Sequence, residues 1–208
     1  MNTIVLATGN AGKIRELSAL LAEYVPGIRV LGLADFPEIG DIQETGTTFE
    51  ENARIKAMAV AAATGMVAVA DDSGLSVDAL GGAPGVYSAR YSGADATDEK
   101  NVVKLLGALA DVPDAQRGCH FACVMLAVTP GGQELIGRGA WQGRVTHAPA
   151  GNGGFGYDPV FFDEELGLTA AEMDAQVKNG RSHRGLAVRD MLHGWPEFWK
   201  RAKQELEK

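Results

Sequence analysis

Glu44 and one of the two adjacent acids Asp71 and Asp72 have the types and spacing to hold a metal ion. Asp71 and Asp72 follow the apolar run "MVAVA", which predicts a buried strand that ends at the two acids. Neighbouring side chains on an extended segment point to opposite sides, so we expect only one aspartate to face a given site. Glu44 precedes a long predicted helix, where it is placed to converge with that aspartate. Two carboxylates suit Mg²⁺, which keeps several waters and is completed by substrate phosphates; an Asx-type turn also explains "DDSG".

An anion site is predicted near the start of the chain. The stretch "ATGNAGK" ends a short strand, turns, and begins a helix with Lys13 in its first turns. Free backbone N–H groups and the positive end of the helix dipole bind anions at such a position. The spacing of a Walker P-loop is missing. A plain strand, turn and helix with an exposed lysine therefore stays open as the alternative.

Basic residues cluster in the last third, in "KNGRSHR". The segment places Lys178, Arg181, His183 and Arg184 within seven residues of a net-acidic chain. It favours recognition of a phosphate or a base, although a solvated helix start capped by Ser182 is the plainer alternative.

A glycine-dense loop, "GGFGYDP", carries two aromatic rings. Phe155 and Tyr157 suit stacking on a planar base where glycines let a ligand approach the backbone. Two core aromatics under a turn would give the same pattern. Together, the phosphate-binding turn, the metal-binding acids, the basic cluster and the aromatic loop indicate a site for a nucleoside triphosphate. In an acidic protein, the negative charge of the triphosphate needs a bridging cation.

These residues must be positioned by alternating strands and helices. The clearest helix is "TTFEENARIKAMAVAAATG", with a capping box at Thr47 or Thr48 and Gly65 at its end. Around "TPGG", two strands form a predicted antiparallel hairpin. We also expect Asp98 to cap a helix, a helix over Thr169–Gln176, and Pro196 at the start of a C-terminal helix. The pattern predicts an α/β fold with a mixed sheet, as one domain spanning residues 1–208.

Composition narrows the class of protein. The net charge of −8 argues against non-specific nucleic-acid binding. Cys119 and Cys123 fit no redox or zinc pattern, and we expect two small buried hydrophobes. The start of the chain does not read as a signal peptide, and the apolar runs fall short of the ~18 residues that span a membrane. We therefore expect a cytoplasmic protein with neither a nucleic-acid nor a membrane partner.

In order and spacing, the blocks "ATGNAGKIRE", "ETGTTFEENARIKA", "ADDSGLSVDALGGAPGVYSARYSG", "GGFGYDPVF", "AEM" and "KNGRSHR" closely resemble the inosine triphosphate pyrophosphatase family. The resemblance covers almost the whole chain. It implies an elongated mixed β-sheet flanked by helices, with two lobes and a central substrate cleft, in a homodimer. It also implies Mg²⁺-dependent hydrolysis of ITP, dITP and XTP to the monophosphate and pyrophosphate, which cleanses the nucleotide pool.

The resemblance assigns roles to individual residues. Asp72 matches the proposed proton acceptor, and Glu44 and Asp72 match the magnesium ligands. Arg181 departs from the pattern, because an apolar residue is more usual there. The positions that match substrate contacts are Thr8, Gly9, Asn10, Ala11, Gly12, Lys13, Ser73, Phe155, Gly156, Tyr157, Asp158, Lys178, His183 and Arg184.

Two alternative functions remain at this point. The chain is either a pyrophosphatase for another modified nucleotide or a nucleotide-binding module without turnover. Retention of Glu44, Asp72 and Lys13 argues against lost catalysis.

Overall fold

A computed structural model describes residues 3–206 of the chain. Its seven strands form one sheet in the order β2-β1-β3-β4-β5-β6-β7. The strands are β1 Thr3–Leu6, β2 Arg29–Gly32, β3 Val67–Val77, β4 Gly118–Val128, β5 Glu134–Val145, β6 Phe161–Asp163 and β7 Leu168–Thr169. The helices are α1 Ala11–Tyr24, α2 Phe49–Thr64, α3 Asp98–Ala108, α4 Ala175–Arg181 and α5 His183–Leu206. Among these described helices none is long and apolar enough to cross a membrane.

The sheet is mixed, as predicted. Strand β1 pairs in parallel with β2 and β3, whereas β6 is antiparallel to both β5 and β7. Strands β4 and β5 are neighbours joined by the turn 129–133. A connection this short allows only an antiparallel pair. The α/β fold with a mixed sheet is therefore confirmed.

The chain forms two compact units. Of the described residues, unit 1 holds 3–72, 123–139 and 184–206, and unit 2 holds 73–122 and 140–183. The single domain over residues 1–208 stays a prediction.

The core of unit 1 follows from the two-residue period of its strands. Ile4, Leu6, Val67 and Val69 cluster with apolar residues of α1 and α5. Their neighbours cluster with α2 on the other side of the sheet: Val5, Ala7, Ala68 and Ala70. Successive strand side chains alternate between faces, so the next two residues of β3, Asp71 and Asp72, continue into these two different environments.

Unit 2 has its own core. Residues of α3 cluster with Leu75 and Val77 of β3 and with an aromatic group. In that group Phe161 lies 4.7 Å from Phe121 and 4.5 Å from Trp141, measured between ring centroids. The core therefore fixes the strands that lead into the loop containing Phe155.

The start and end of α2 are those expected. Thr48, not Thr47, is the N-cap: its hydroxyl accepts from Glu51 N, and the Glu51 carboxylate accepts from Thr48 N. Gly65 ends the helix with φ +64°, in the left-handed region that glycine adopts without steric cost.

Four local predictions are wrong. Strand β3 does not end before Asp71 but continues to Val77. Thr97, rather than Asp98, caps α3, with its hydroxyl accepting from Lys100 N. Instead of a helix over Thr169–Gln176, the chain forms β7 and then starts α4 after the cap Asp174. Pro196 lies inside α5.

Tertiary contacts explain the differences at Thr169 and Pro196. Pairing of β7 with β6 extends the sheet to Thr169, which takes that residue out of any helix. A proline inside a helix costs about 3 kcal/mol. Helix α5 contributes six buried residues to the core of unit 1, which offsets that cost: Ala187, Val188, Met191, Trp195, Phe198 and Ala202.

Candidate active site

The predicted phosphate-binding turn is the first turn of α1. Asn10 is the N-cap, and its side chain accepts from Lys13 N at 3.1 Å. Thr8 Oγ1 accepts from Asn10 N at 3.2 Å, which fixes the turn before the helix. No acidic residue lies in the first turn of α1. The helix therefore has no acid of its own at the positive end of its dipole, which favours an anion there.

Asp71 is buried among cations. Its Oδ2 lies 3.0 Å from Lys13 Nζ and 3.2 Å from Arg184 Nη2. Burial raises the pKa of Asp71, but the charges of Lys13 and Arg184 outweigh it and hold that pKa well below the usual carboxyl range. Asp71 is therefore ionised and fixes the position of Lys13 beside the start of α1.

Arg184 belongs to the same network. It is 2% exposed, and its Nη1 lies 2.5 Å from Glu16 Oε2 of α1. Burial opposes its charge, but Asp71 and Glu16 raise the pKa of Arg184 overall. The structure thus places this predicted substrate contact as the link between α5, β3 and α1.

Asp72 points to the other face of β3, toward α2. Asn52 Nδ2 donates to Asp72 Oδ2 at 3.1 Å. Lys56 Nζ lies 2.5 Å from Glu44 Oε1 and 3.6 Å from Asp72 Oδ1. The two carboxylates predicted as metal ligands therefore converge on one ammonium group. Sequence reasoning missed Asn52 and Lys56; their i, i+4 spacing in "ENARIK", which puts both on one face of α2, was the available signal.

The titration of this cluster is set by burial and by charge. Burial raises the pKa of Asp72; Lys56 opposes that rise, and the like charge of Glu44 adds to it, so the pKa stays above the usual carboxyl value. Burial lowers the pKa of Lys56, but Asp72, Asp71 and Glu44 outweigh it and raise that pKa. A carboxyl with a raised pKa next to a fixed cation is typical of a functional site.

The donor set fits a hard divalent cation. Glu44 and Asp72 supply two carboxylates, and the position between them already attracts a positive charge, that of Lys56. Within residues 3–206 no three or more His, Cys, Asp or Glu side chains are grouped to hold a metal ion. Two protein carboxylates with remaining positions for water and phosphate oxygens match the habit of Mg²⁺.

A second set of predicted residues lies in unit 2. Lys178 Nζ is 2.6 Å from Asp158 Oδ2 and 5.0 Å from the centre of the Phe155 ring. The same Oδ2 accepts from Phe155 N at 2.8 Å. Gly154 has φ +73°, and a Cβ there would lie 2.0 Å from Asp158 Oδ2. Glycine at 154 therefore allows Asp158 to organise the loop and Lys178 together.

The other members of this set differ in exposure. Gly156 N donates to Asp98 Oδ2 at 2.7 Å, a contact that sequence reasoning missed. Tyr157 is 4% exposed and its hydroxyl donates to Ser88 O, so it is a core aromatic rather than a stacking surface. His183 is buried and stacks on Phe121, with ring centroids 4.6 Å apart. Ser73, next to Asp72 on β3, is half-buried.

The predicted residues thus form two sets, each within its own unit. Unit 1 holds the predicted triphosphate-binding turn, both predicted metal ligands and one further predicted substrate contact: Thr8, Gly9, Asn10, Ala11, Gly12, Lys13, Glu44, Asp72 and Arg184. Unit 2 holds the predicted base-side loop and the other predicted substrate contacts: Ser73, Phe155, Gly156, Tyr157, Asp158, Lys178 and His183.

Known proteins are similar to this chain over most of its length. The model of the Ham1 family matches residues 4–194. The dITP/XTP pyrophosphatase of Nitratidesulfovibrio vulgaris (strain Hildenborough) is 55% identical, over 95% of this chain and 98% of the relative. That of Escherichia coli K12 is 50% identical, over 92% and 97%. The solved HAM1 protein of Coxiella burnetii superposes with a TM-score of 0.85 at 43% identity, over 95% and 100%. The chain therefore belongs to the Ham1 family.

Proposed function

We propose that this protein hydrolyses the non-canonical purine nucleoside triphosphates ITP, dITP and XTP to the monophosphate and pyrophosphate. The convergence of Asp72 and Glu44 on Lys56 is the observation that carries the proposal. Relatives named dITP/XTP pyrophosphatase, at 50% and 55% identity, support the substrate class. The work of such an enzyme is to keep these nucleotides out of the pool that polymerases use. A homodimer in the cytoplasm is part of the proposal.

Asp72 is the proposed proton acceptor. It takes a proton from the water whose oxygen bonds to the α-phosphorus, while the bond to the α,β-bridging oxygen breaks and pyrophosphate leaves. Its raised pKa brings the carboxylate closer to the working pH, where a general base is most effective. Asn52 fixes the orientation of the Asp72 carboxylate through Oδ2, so the proposed proton acceptor is Oδ1, which lies 3.6 Å from Lys56 Nζ.

Several groups of the proposed site neutralise the negative charge of the phosphates. A magnesium ion held by Glu44 and Asp72 would neutralise phosphate charge and acidify a coordinated water. Lys13 and the N–H groups at the start of α1 stabilise the negative charge that develops on the leaving pyrophosphate. Asp71 holds Lys13 in place for this task through the 3.0 Å ion pair.

The base is selected by polarity in the proposed mechanism. Hypoxanthine and xanthine present an acceptor at position 6, whereas adenine presents a donor. A pocket that offers donors, such as Lys178, His183 and loop N–H groups, would bury a donor against a donor if adenine entered. Each unpaired buried group costs about 1–3 kcal/mol, which disfavours ATP.

Assay of ITP hydrolysis with pyrophosphate and orthophosphate measured separately tests the proposal. We expect pyrophosphate as the first product, dependent on added Mg²⁺. Asp72→Asn should lower kcat by about 10²–10⁴, the usual contribution of a general base. Asp41→Asn, which removes an exposed acid close to Glu44 in the sequence, should leave kcat unchanged. Orthophosphate as the first product, or near-normal turnover in Asp72→Asn, would refute the mechanism. A panel with XTP, GTP, ATP, dUTP and methylated pyrimidine triphosphates defines the substrate class.

A further inference from the structure

Helix α4, which carries Lys178, is short and buries little apolar surface. It has seven residues, Ala175–Arg181, and includes asparagine and glycine, which are poor helix formers. Isolated helices shorter than about 12 residues are marginal in water. Lys178 is the one buried residue of α4, all of which lies in the described part of the chain. Apolar burial therefore does not fix this helix.

Two charged side chains on one face attach α4 to the rest of unit 2. Lys178 and Arg181 are three residues apart, which puts them on the same side of a helix. Lys178 binds Asp158 of the aromatic loop. Arg181 binds the β6–β7 segment: its Nε lies 2.9 Å from Asp163 Oδ2, and its Nη2 lies 2.5 Å from Glu165 Oε2.

Other hydrogen bonds hold the Asp163 carboxylate in the position where Arg181 binds it. It is 2% exposed and accepts at 2.9 Å from Trp141 Nε1, at 2.9 Å from Glu165 N and at 3.0 Å from Leu166 N. Burial raises the pKa of Asp163, but these donors and Arg181 outweigh it and lower that pKa. The carboxylate is thus ionised and held by three other donors when Arg181 binds it.

Asp163 is also connected, through Trp141, to the aromatic rings that pack on His183. Trp141, bound to Asp163, packs on Phe161, and Phe161 packs on Phe121. The Phe121 ring stacks with His183 at 4.6 Å and an interplanar angle of 13°. Arg181 therefore lies between two residues proposed to contact the base, Lys178 and His183, and ties their segment to β6.

We propose that Arg181 is a positioning residue for the base side of the site: its ion pairs with Asp163 and Glu165 hold α4 so that Lys178 meets Asp158 and Phe155. The inference rests on the proposed function and deepens it. An apolar side chain at position 181 would leave Asp163 without its cationic partner and α4 without this attachment. Arg181 acts through Lys178 and does not itself touch the nucleotide.

Arg181→Met tests the proposal, because it keeps most of the aliphatic stem and removes the guanidinium. We expect KM for ITP and Kd for IMP to rise about tenfold, as loss of one charge-assisted contact predicts, with kcat changed less than about twofold. Inhibition by pyrophosphate, which has no base, should be unchanged. Arg181→Lys, which restores a cation, should recover at least half of the lost IMP affinity on a logarithmic scale.

Arg144→Met is the matched control. Arg144 lies 3.5 Å from Glu164 of the same β6–β7 segment and over the Phe162 ring, and it belongs to β5. We expect it to leave KM and the Kd for IMP within about twofold of the parent values. Thermal melts confirm that each variant is folded at the assay temperature.

Several results would overturn the inference. Unchanged IMP affinity in Arg181→Met would do so, as would an equal loss in Arg144→Met or an equal weakening of pyrophosphate binding. If the parent protein fails to hydrolyse ITP, the proposed function fails, and the IMP affinities of the variants still decide whether Arg181 positions the base side.

Discussion

Two adjacent aspartates in β3 have pKa values that are shifted in opposite directions. Asp71 is held ionised by Lys13 and Arg184, so its pKa is low, whereas burial and Glu44 raise the pKa of Asp72. Alternation of side chains along the strand explains the difference, since one faces α1 and α5 and the other faces α2. The same alternation separates a structural acid from the proposed base. The predicted opposite orientation of the pair is therefore confirmed.

Removal of the Asp71 charge should destabilise the fold. In Asp71→Asn, Lys13 and the buried Arg184 lose their shared partner, and breaking a buried pair costs about 3–5 kcal/mol. The folded pKa of Asp71 lies below its unfolded value of about 3.9, so its contribution is complete above that pH and is lost as the pH falls through the folded pKa. Urea unfolding at pH 7, 5 and 3 measures the difference in unfolding free energy between the parent protein and Asp71→Asn. We expect this difference to become smaller only below about pH 4.

Asp95→Asn is the control for that experiment. The Asp95 side chain is 82% exposed and pairs with Lys100, so we expect a change in unfolding free energy of less than about 0.5 kcal/mol. A loss in Asp71→Asn no greater than in the control would show that the network carries no net stability.

At the scale of elements, the sequence predicted what local chemistry determines. The capping box and Gly65 define α2, and the two-residue alternation of β1 and β3 defines the buried sheet. Continuation of β3 through its acids was missed, because their partners lie far away in sequence: Arg184 is 113 residues from Asp71, and Asn52 is 20 residues from Asp72. No local pattern indicates that a charged pair inside a strand will be compensated by such distant groups.

Close contact between β5 and α5 gives a prediction about packing. A Cβ at Gly137 would lie 2.2 Å from Ala187 O and 2.5 Å from Met191 N, both in the α5 backbone. Gly137→Ala therefore forces strand and helix apart and should cost about 1–3 kcal/mol. Gly107→Ala is the matched control: Gly107 is exposed in α3 with no atom within 4 Å of its added Cβ. It should stabilise the protein by about 0.5–1 kcal/mol. Urea unfolding gives the change in unfolding free energy for each of the two variants. Equal changes would contradict the packing argument.

At the scale of the whole molecule, the order of residues in the chain does not reveal their grouping in space. Unit 1 is assembled from three separate stretches, so Arg184, near one end of the chain, shares a network with Lys13, near the other. The family resemblance named nearly all the candidate site residues. It did not indicate which of them form ion pairs with each other, because those pairs depend on which stretches fold together.

Each unit contains one cysteine, so the reactivity of each thiol can follow the unfolding of its own unit. Cys119 lies in unit 2 and Cys123 in unit 1, four residues further along β4. Both are free and buried, and burial raises the pKa of each thiol to about 12. Because the thiolate is the reactive form, we expect neither cysteine to react with iodoacetamide at pH 8 in the folded protein.

Labelling across a urea titration then tests how the chain unfolds. The boundaries between the units fall inside β3, β4 and β5, so unfolding of one half of a strand removes the support for the other. We therefore expect Cys119 and Cys123 to become reactive at the same urea concentration, as in a two-state transition. Cleavage after Phe121 separates the two thiols for mass spectrometry, and complete reaction of both in concentrated urea is the control. Labelling of one cysteine at a clearly lower urea concentration would show instead that its unit unfolds first.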